Sequence, residues 1–431
     1  MSHYKPYQAY KDSGVEWIES VPEHWRLRKV AWDLRMTIGW TPPTGQQRFY
    51  GGQHNWVAIS DLSAKRIAET KTKITDAAIT EKGAKPAPAG SLLFSYKLTV
   101  GEVALLEQPA YTNEAIAAFH PAQTVAMEWW RYAAPEVLPR NGRENIYGAL
   151  LLNQELMADT RFYAPDTAEQ SAIAAALDRE TARIDALIAK KTRFIELLKE
   201  KRQALITDAV TKGIDPNVRR KDSGVAWIGE VPEHWEIVPS TWLFVESNER
   251  AHADDEHLSA TQKYGVIPLA EYERLEGRQV THAVKNLEQR KHVEVDNFVI
   301  SMRSFEGGIE RVRARGCVRS SYVVLLAEPA ADVGFFTYLL KSSTYIQGLQ
   351  ATSSFVRDGQ DLSYANFRQV KMPAPSISEQ RVIAAHLDRG VSRIDALAAK
   401  TERSIALLKE RRSALITAAV TGQIDLREEA A

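Results

Sequence analysis

The 431-residue chain has a single cysteine, Cys317, which excludes an internal disulfide framework and a zinc site built on cysteine thiolates. No run of about 18 apolar residues occurs, so no segment reads as a membrane-spanning helix, and the N-terminal MSHYKPYQAY lacks the apolar core of a secretion signal. A cytoplasmic protein with no membrane partner is the expectation. Charge of one sign is not in excess either: lysine plus arginine and aspartate plus glutamate each total 55. The chain therefore lacks the global basic field of a nucleic-acid binder acting alone, although a basic face on each domain is compatible with neutrality if partner subunits share the phosphate contacts. Catalytic signatures are missing as well. There is no G-x-x-x-x-G-K-[ST] phosphate loop, no Asn-Pro-Pro-aromatic sequence of an amino-methyltransferase and no Gly-rich strand-to-helix turn suited to a cofactor. A binding protein with no catalytic residue, no cofactor and no metal is the reading.

What the chain does contain is a copy of part of itself. KDSGVEWIESVPEHW at 11–25 returns as KDSGVAWIGEVPEHW at 221–235, displaced by 210 residues. The block 169–215, from EQSAIAAALDRE to TDAVTKGID, returns at 379–425 with the same displacement. That period is far too long for a solenoid. The stretches between, about 26–165 and 236–375, match in length but share almost no identity. A duplicated scaffold presenting two modules with one job and different targets is implied. The corresponding boundaries are 1–165 for the first segment and module, 166–215 for a long helix, 216–375 for the second segment and module, 376–425 for a second helix and 426–431 for a tail.

The repeated blocks read as helices because Ile173, Leu177, Ile184, Leu187, Ile188, Ile195, Leu198 and Leu205 fall at spacings of three, four and seven. Ile383, Leu387, Ile394, Leu397, Ile405, Leu408 and Leu415 repeat the stripe. Asp166 and Ser376 stand where an N-cap belongs, each with a glutamate, Glu169 or Glu379, three residues on as in a capping box. A helix of about 40 residues is roughly 60 Å long. Neither can bury its stripe alone, and two of them predict an antiparallel coiled coil through Ile184, Leu187, Ile195, Leu198, Leu205, Ile394, Leu397, Ile405, Leu408 and Leu415. His24 and His234 in the VPEHW repeats have no second histidine at helical spacing and no nearby cysteine; beside Trp17, Trp25, Trp227 and Trp235 they read as structural.

Both modules read as mixed α/β. Trp56–Ile59 and Ser91–Tyr96 are strand-like in the first, with a helix near Thr124–Tyr132; in the second Val293–Val295, Phe298–Ile300, Arg311–Arg315 and Tyr322–Leu326 are strand-like. On a strand, Arg311, Arg313 and Arg315 would put three guanidiniums on one face, suited to phosphates and to guanine edges; a solvated face paired to Glu306 and Glu310 is the alternative. The N-terminal half of the first module is basic through Arg48, Lys65, Arg66, Lys71, Lys73, Lys82, Lys85 and Lys97. The candidate DNA contacts are Arg48, Tyr50, Lys65, Arg66, Lys97, Arg303, Arg311, Arg313, Arg315 and Arg357.

Several of these segments resemble the specificity subunits (HsdS) of type I restriction-modification systems, over nearly the whole chain. KDSGVEWIESVPEHW is similar to that family's N-terminal segment, RFYGGQHNWVAISDL at 48–62 to the opening of its target-recognition domains, and PAGSLLFSYKLTVGEVAL at 88–105 and DNFVISMRSFEGGIERV at 296–312 to a later strand-turn-strand motif. The most specific element is EQxxIAxxLD followed by RIDALxAK, LLKExR and ALITxAVT, which occurs twice. The resemblance implies a non-catalytic subunit that binds double-stranded DNA, two methyltransferase subunits through the helices, and motor-nuclease subunits through the assembled complex. Each module would read half of a split, asymmetric site, with the coiled coil as the ruler between neighbouring helical turns about 34 Å apart. A stand-alone DNA-binding regulator and a coiled-coil interaction protein without DNA are the alternatives.

Overall fold

The computed structural model describes residues 4–144, 148, 150–277, 279, 289–301, 304–352 and 363–427. The candidates Arg303 and Arg357 lie outside the described residues. The chain divides into two units, Met1–Lys190 with Ser404–Ala431, and Lys191–Arg403. Each contains one module, one repeated N-terminal segment and parts of both long helices.

The repeated segment forms the same hairpin twice, Tyr10–Val15 with Ile18–Pro22 in the first unit and Arg220–Asp222 with Glu230–Pro232 in the second. Its turn is local chemistry. Asp12 accepts from the Gly14 N–H at 2.9 Å and Ser13 from the Val15 N–H at 2.9 Å, and Asp222 and Ser223 repeat these bonds at 3.0 and 3.1 Å. Each module is then closed where it leaves the frame, because its entry and exit strands pair antiparallel: Arg26–Lys29 with Arg161–Ala164, and Glu236–Pro239 with Lys371–Ala374.

The modules share a sheet despite sharing almost no sequence. In the first, Met36–Ile38, Ile116–Phe119, Leu92–Ser95 and Val103–Leu106 lie side by side, all antiparallel, with Arg66–Ile67 added parallel at the edge. In the second, Phe244–Ser247, Val323–Ala327, Phe298–Ile300 and Glu310–Arg311 lie side by side, again antiparallel. Counted along the chain, both four-strand sets have the spatial order first, fourth, second, third. One sheet face in each unit packs against the helical layer: Phe94, Phe119, Trp129, Trp130 and Phe162 share a core with Ile173 and Leu177, as Phe244, Phe298, Phe335 and Phe336 do with Ile383 and Leu387.

The long helices run over Thr167–Lys212 and Ile377–Val420. Asp166 and Ser376 cap them as expected, accepting from the Glu169 and Glu379 N–H groups at 2.9 and 3.3 Å. The glutamate carboxylates do not complete a box. Glu169 instead accepts from Trp25 Nε1 at 3.1 Å and lies 2.8 Å from His24 Nε2; Glu379 does the same with Trp235 at 3.0 Å and His234 at 2.9 Å. The buried indole N–H needs an acceptor, and this need outweighs the local cap.

In the second unit Arg202 meets Asp395, and a Cβ on Gly390 would fall 2.7 Å from Leu205, so one helix retreats as the other advances and the pair is antiparallel. Ile184, Ile195, Leu198, Ile394 and Leu415 are buried, and Leu205, Ile405 and Leu408 are half-buried. Leu187 and Leu397 depart from the expected seam, being 42% and 41% exposed. The stripe steps from Ile184 to Ile188 rather than Leu187, and 3.6 residues per turn rotate Leu187, with its repeat equivalent Leu397, onto the flank. Among the described residues no helix is long and apolar enough to cross a membrane.

Candidate nucleic-acid interface

The strand expected over Arg311–Arg315 is broken. Only Glu310–Arg311 and Gly316–Val318 are strands, and they pair with different neighbours, Phe298–Ile300 and Lys291–Val293. The three guanidiniums consequently have separate surroundings. Arg311, 23% exposed, donates from Nε and Nη2 to Asp296 at 2.8 and 2.6 Å. Arg315 is held by Asp254 at 2.9 Å and Glu294 at 3.3 Å. Arg313 is exposed and has no ion pair among the described residues. Desolvation and then the neighbouring Arg311 charge hold its guanidinium below the ordinary arginine value. Neither Glu306 nor Glu310 pairs with these arginines; Glu310 is buried against Lys341 at 2.8 Å. Burial raises the Glu310 carboxyl above the usual range although Lys341 pulls the other way.

Arg311 and Arg313 do come together, in a cleft of about 730 Å³ that they line with Arg202, Tyr338, Lys341 and Asp395. The first unit has a counterpart of about 570 Å³, lined by Lys65, Arg131, Tyr132, Asp185, Lys409 and Arg412. Module cations thus face long-helix residues in each unit. Arg202 and Arg412, and Asp395 and Asp185, are repeat equivalents, so the frame supplies the same charged pair to both clefts. Arg131 is bound to Asp178 at 2.7 Å. Burial pushes the Asp178 carboxyl up, but hydrogen bonds from Arg131 and Tyr132 outweigh it and hold the group below the usual range. The sequence reading missed Arg131, Arg202, Lys341 and Arg412; the repeat equivalence of Arg202 and Arg412 is the signal that could have found two of them.

The other first-module candidates are dispersed. Arg48 is exposed, pairs with Glu81 at 2.9 Å and covers the Phe49 ring. Tyr50 is half-buried and donates to the Pro42 carbonyl at 2.6 Å; burial, then the Glu114 charge, raises its hydroxyl above the ordinary tyrosine value. Arg66 pairs with Glu128. Lys97 sits over the Tyr96 ring at the mouth of a turn whose next residue, Leu98, has φ +64° and is 90% exposed. A left-handed leucine is the cost of a connection with no glycine at that point.

No family model matches the chain. Over 189 residues it is 24% identical to the MjaIX type I restriction enzyme specificity subunit of Methanocaldococcus jannaschii, which covers 42% of this chain and 43% of that one. Over 208 residues it is 23% identical to the EcoKI type I restriction enzyme specificity subunit of Escherichia coli K12, with 46% and 44% covered. The chain spans less than half the length of these curated relatives. Among solved structures, a chain from one describing complex assembly and conformational transition of a type I restriction-modification system matches with a TM-score of 0.70 at 14% identity, covering 94% of this chain and 99% of that one. The HsdS subunit of Thermoanaerobacter tengcongensis matches with a TM-score of 0.54 at 15% identity, covering 94% and 98%. The fold is that of these structures, and the resemblance read from the repeated motifs holds.

Proposed function

We propose that this relative of the type I restriction enzyme specificity subunits is the DNA-recognition subunit of such a complex, binding without catalysing. The observation that carries the reading is a frame built twice, to the level of individual hydrogen bonds, around modules that share strand order and differ in sequence. Two modules of one fold with unlike surfaces suit the two unlike halves of a bipartite asymmetric site. They would be 1–165 and 216–375, with the helices 166–215 and 376–425 between them. Arg313, unpaired among the described residues and lining a cleft, is the best placed of the second module's arginines for a phosphate. Phe194, Leu197 and Leu407 are exposed on the long helices, as are Leu187 and Leu397, apolar surface that docked methyltransferase subunits would cover. Motor-nuclease subunits would join through that assembly.

Co-expression with the methyltransferase subunits, co-purification and mapping of methylated sites tests this. Methylation at one split site, only with all subunits present, is expected. Methyl transfer by the chain alone would overturn it, tight site-specific binding without partners would favour a regulator, and no sequence-selective binding in any assembly would leave a coiled-coil interaction protein.

A further inference from the structure

We propose that each unit carries a DNA-phosphate site that reads no sequence, formed where the module meets the long helices: Arg313 with Arg202 in the second unit, and Lys65 with Lys409 and Arg412 in the first. This rests on the reading of the chain as a DNA-recognition subunit and deepens it, because the frame as well as the modules would hold the DNA backbone. Charge marks the sites. The chain carries no net charge, yet five cations and three carboxylates line the cleft of the second unit, and four cations and two carboxylates line that of the first. Both clefts therefore hold the same excess of two positive charges, although the modules that form one wall share almost no sequence.

The internal contacts of each cleft decide which cations are left for a ligand. In the second unit Lys341 is held by Glu310 at 2.8 Å and Arg311 by Asp296 at 2.6 Å, and the Tyr338 hydroxyl donates to Asp388 at 2.7 Å. Arg313 makes no side-chain hydrogen bond or ion pair among the described residues. In the first unit Arg131 is held by Asp178 and the Thr417 hydroxyl donates to Glu136 at 2.9 Å. Lys65 and Lys409 are exposed and have no side-chain hydrogen bond or ion pair among the described residues. The frame arginines are held from the side only. Asp395 takes Nε of Arg202 and Asp185 lies against Nε of Arg412, so the two terminal nitrogens of each have no hydrogen bond or ion pair among the described residues. Both clefts thus present a guanidinium fork, which matches two phosphate oxygens, together with an unpaired module cation.

Arg313 is held in place without being neutralised. Its backbone N–H donates to the Val266 carbonyl at 2.9 Å, and its side chain passes close to Gly265, where a Cβ would fall 3.5 Å from Arg313 Cγ and 2.7 Å from the Arg311 carbonyl oxygen. A guanidinium that loses hydration beside the charge of Arg311, with no counter-ion of its own, is a costly arrangement that a bound anion offsets. DNA presents the same phosphates at every base step, and the frame presents repeat-equivalent arginines, Arg202 and Arg412, to both clefts. Such contacts fix the register of each module on the duplex and leave the choice of sequence to the module surfaces.

The test uses the full-length chain and a fluorescently labelled duplex of arbitrary sequence, with affinity followed by anisotropy against KCl concentration. Arg313 and Lys65 are exposed, so R313A and K65A should fold normally, which an unchanged Tm checks. Each should lower the slope of log affinity against log salt by about 1, and the double variant by about 2, on any duplex alike. R202K keeps the charge but lacks the fork and should weaken binding about threefold or more, whereas R315A, outside both clefts, should change the slope least. Inorganic phosphate should compete only through ionic strength; saturable competition that vanishes in the double variant would assign the clefts to a free anion and overturn the assignment to DNA. Absence of duplex binding by the unsubstituted chain, a slope unchanged in the double variant, or a loss confined to one sequence would also overturn it. Methylation mapping separates this from the wider reading: selective methylation by the assembled enzyme with an unchanged slope would remove the phosphate sites and leave the recognition subunit standing.

Discussion

Arg412 Nε lies 3.0 Å from Asp185 Oδ1, joining the two long helices within the first unit. In the second unit Arg202 Nε donates to Asp395 Oδ1 at the same 3.0 Å. These are one pair seen twice, since Arg202 and Arg412, like Asp185 and Asp395, are 210 residues apart. The Arg202 contact is a hydrogen bond, whereas the Arg412 contact is an ion pair without hydrogen-bond alignment.

That equivalence predicts how half of the protein would behave. In a fragment of residues 1 to about 220, Arg202 of one copy would meet Asp185 of the other, twice, in place of Asp395 and Arg412. The fragment should dimerise in sedimentation, and Arg202→Glu should weaken the dimer while Arg202→Glu with Asp185→Arg restores much of it. Partly exposed pairs are worth about 0.2–1 kcal/mol each, so the effect should be a few-fold in dissociation constant per pair. A folded monomer would show that the halves are not interchangeable.

Removing the acceptor under the first VPEHW segment should cost more than removing its copy. Glu169 is 8% exposed and accepts from the fully buried Trp25, whereas Glu379 is 29% exposed. Glu169→Ala leaves the indole N–H unsatisfied, at about 1–3 kcal/mol in chemical denaturation. Glu169→Gln keeps an acceptor and should recover most of the loss, and Glu379→Ala should cost less than Glu169→Ala because water can reach the vacated site.

The Asp178 carboxyl gives a pH signature. Its folded value is lowered, so the stability it contributes is present above the unfolded value near about 4 and is lost as pH falls through the lower folded value. Asp178→Asn should therefore lower Tm at pH 7, and the difference from the unsubstituted chain should shrink below about pH 4. A constant Tm difference down to acid unfolding would show that the Arg131 contact does not depend on charge.

For DNA binding, the three arginines should be unequal. Arg311 and Arg315 already have acidic partners, so Arg313→Ala should lower the salt slope of log affinity by about 1, while Arg315→Ala should change it least. Equal effects in a binding titration against salt would mean that the ion pairs open on DNA.

Features whose physics is local or periodic could be read from the residues alone. The two helices, their caps at Asp166 and Ser376 and the displacement of 210 were all legible, because each depends on neighbours within a few turns or on comparison of the chain with itself. The remaining features depend on long-range contacts. That the modules share a strand order depends on pairings between residues as distant as Met36 and Phe119, which near-zero identity conceals. The break after Arg311 follows from Gly316–Val318 pairing with Lys291–Val293 instead of extending the sheet. Glu169 leaves its helix cap for Trp25, and His252 stacks on His292, because burying a polar group or an aromatic ring binds it to whatever folding brings close, and the sequence does not show what that is.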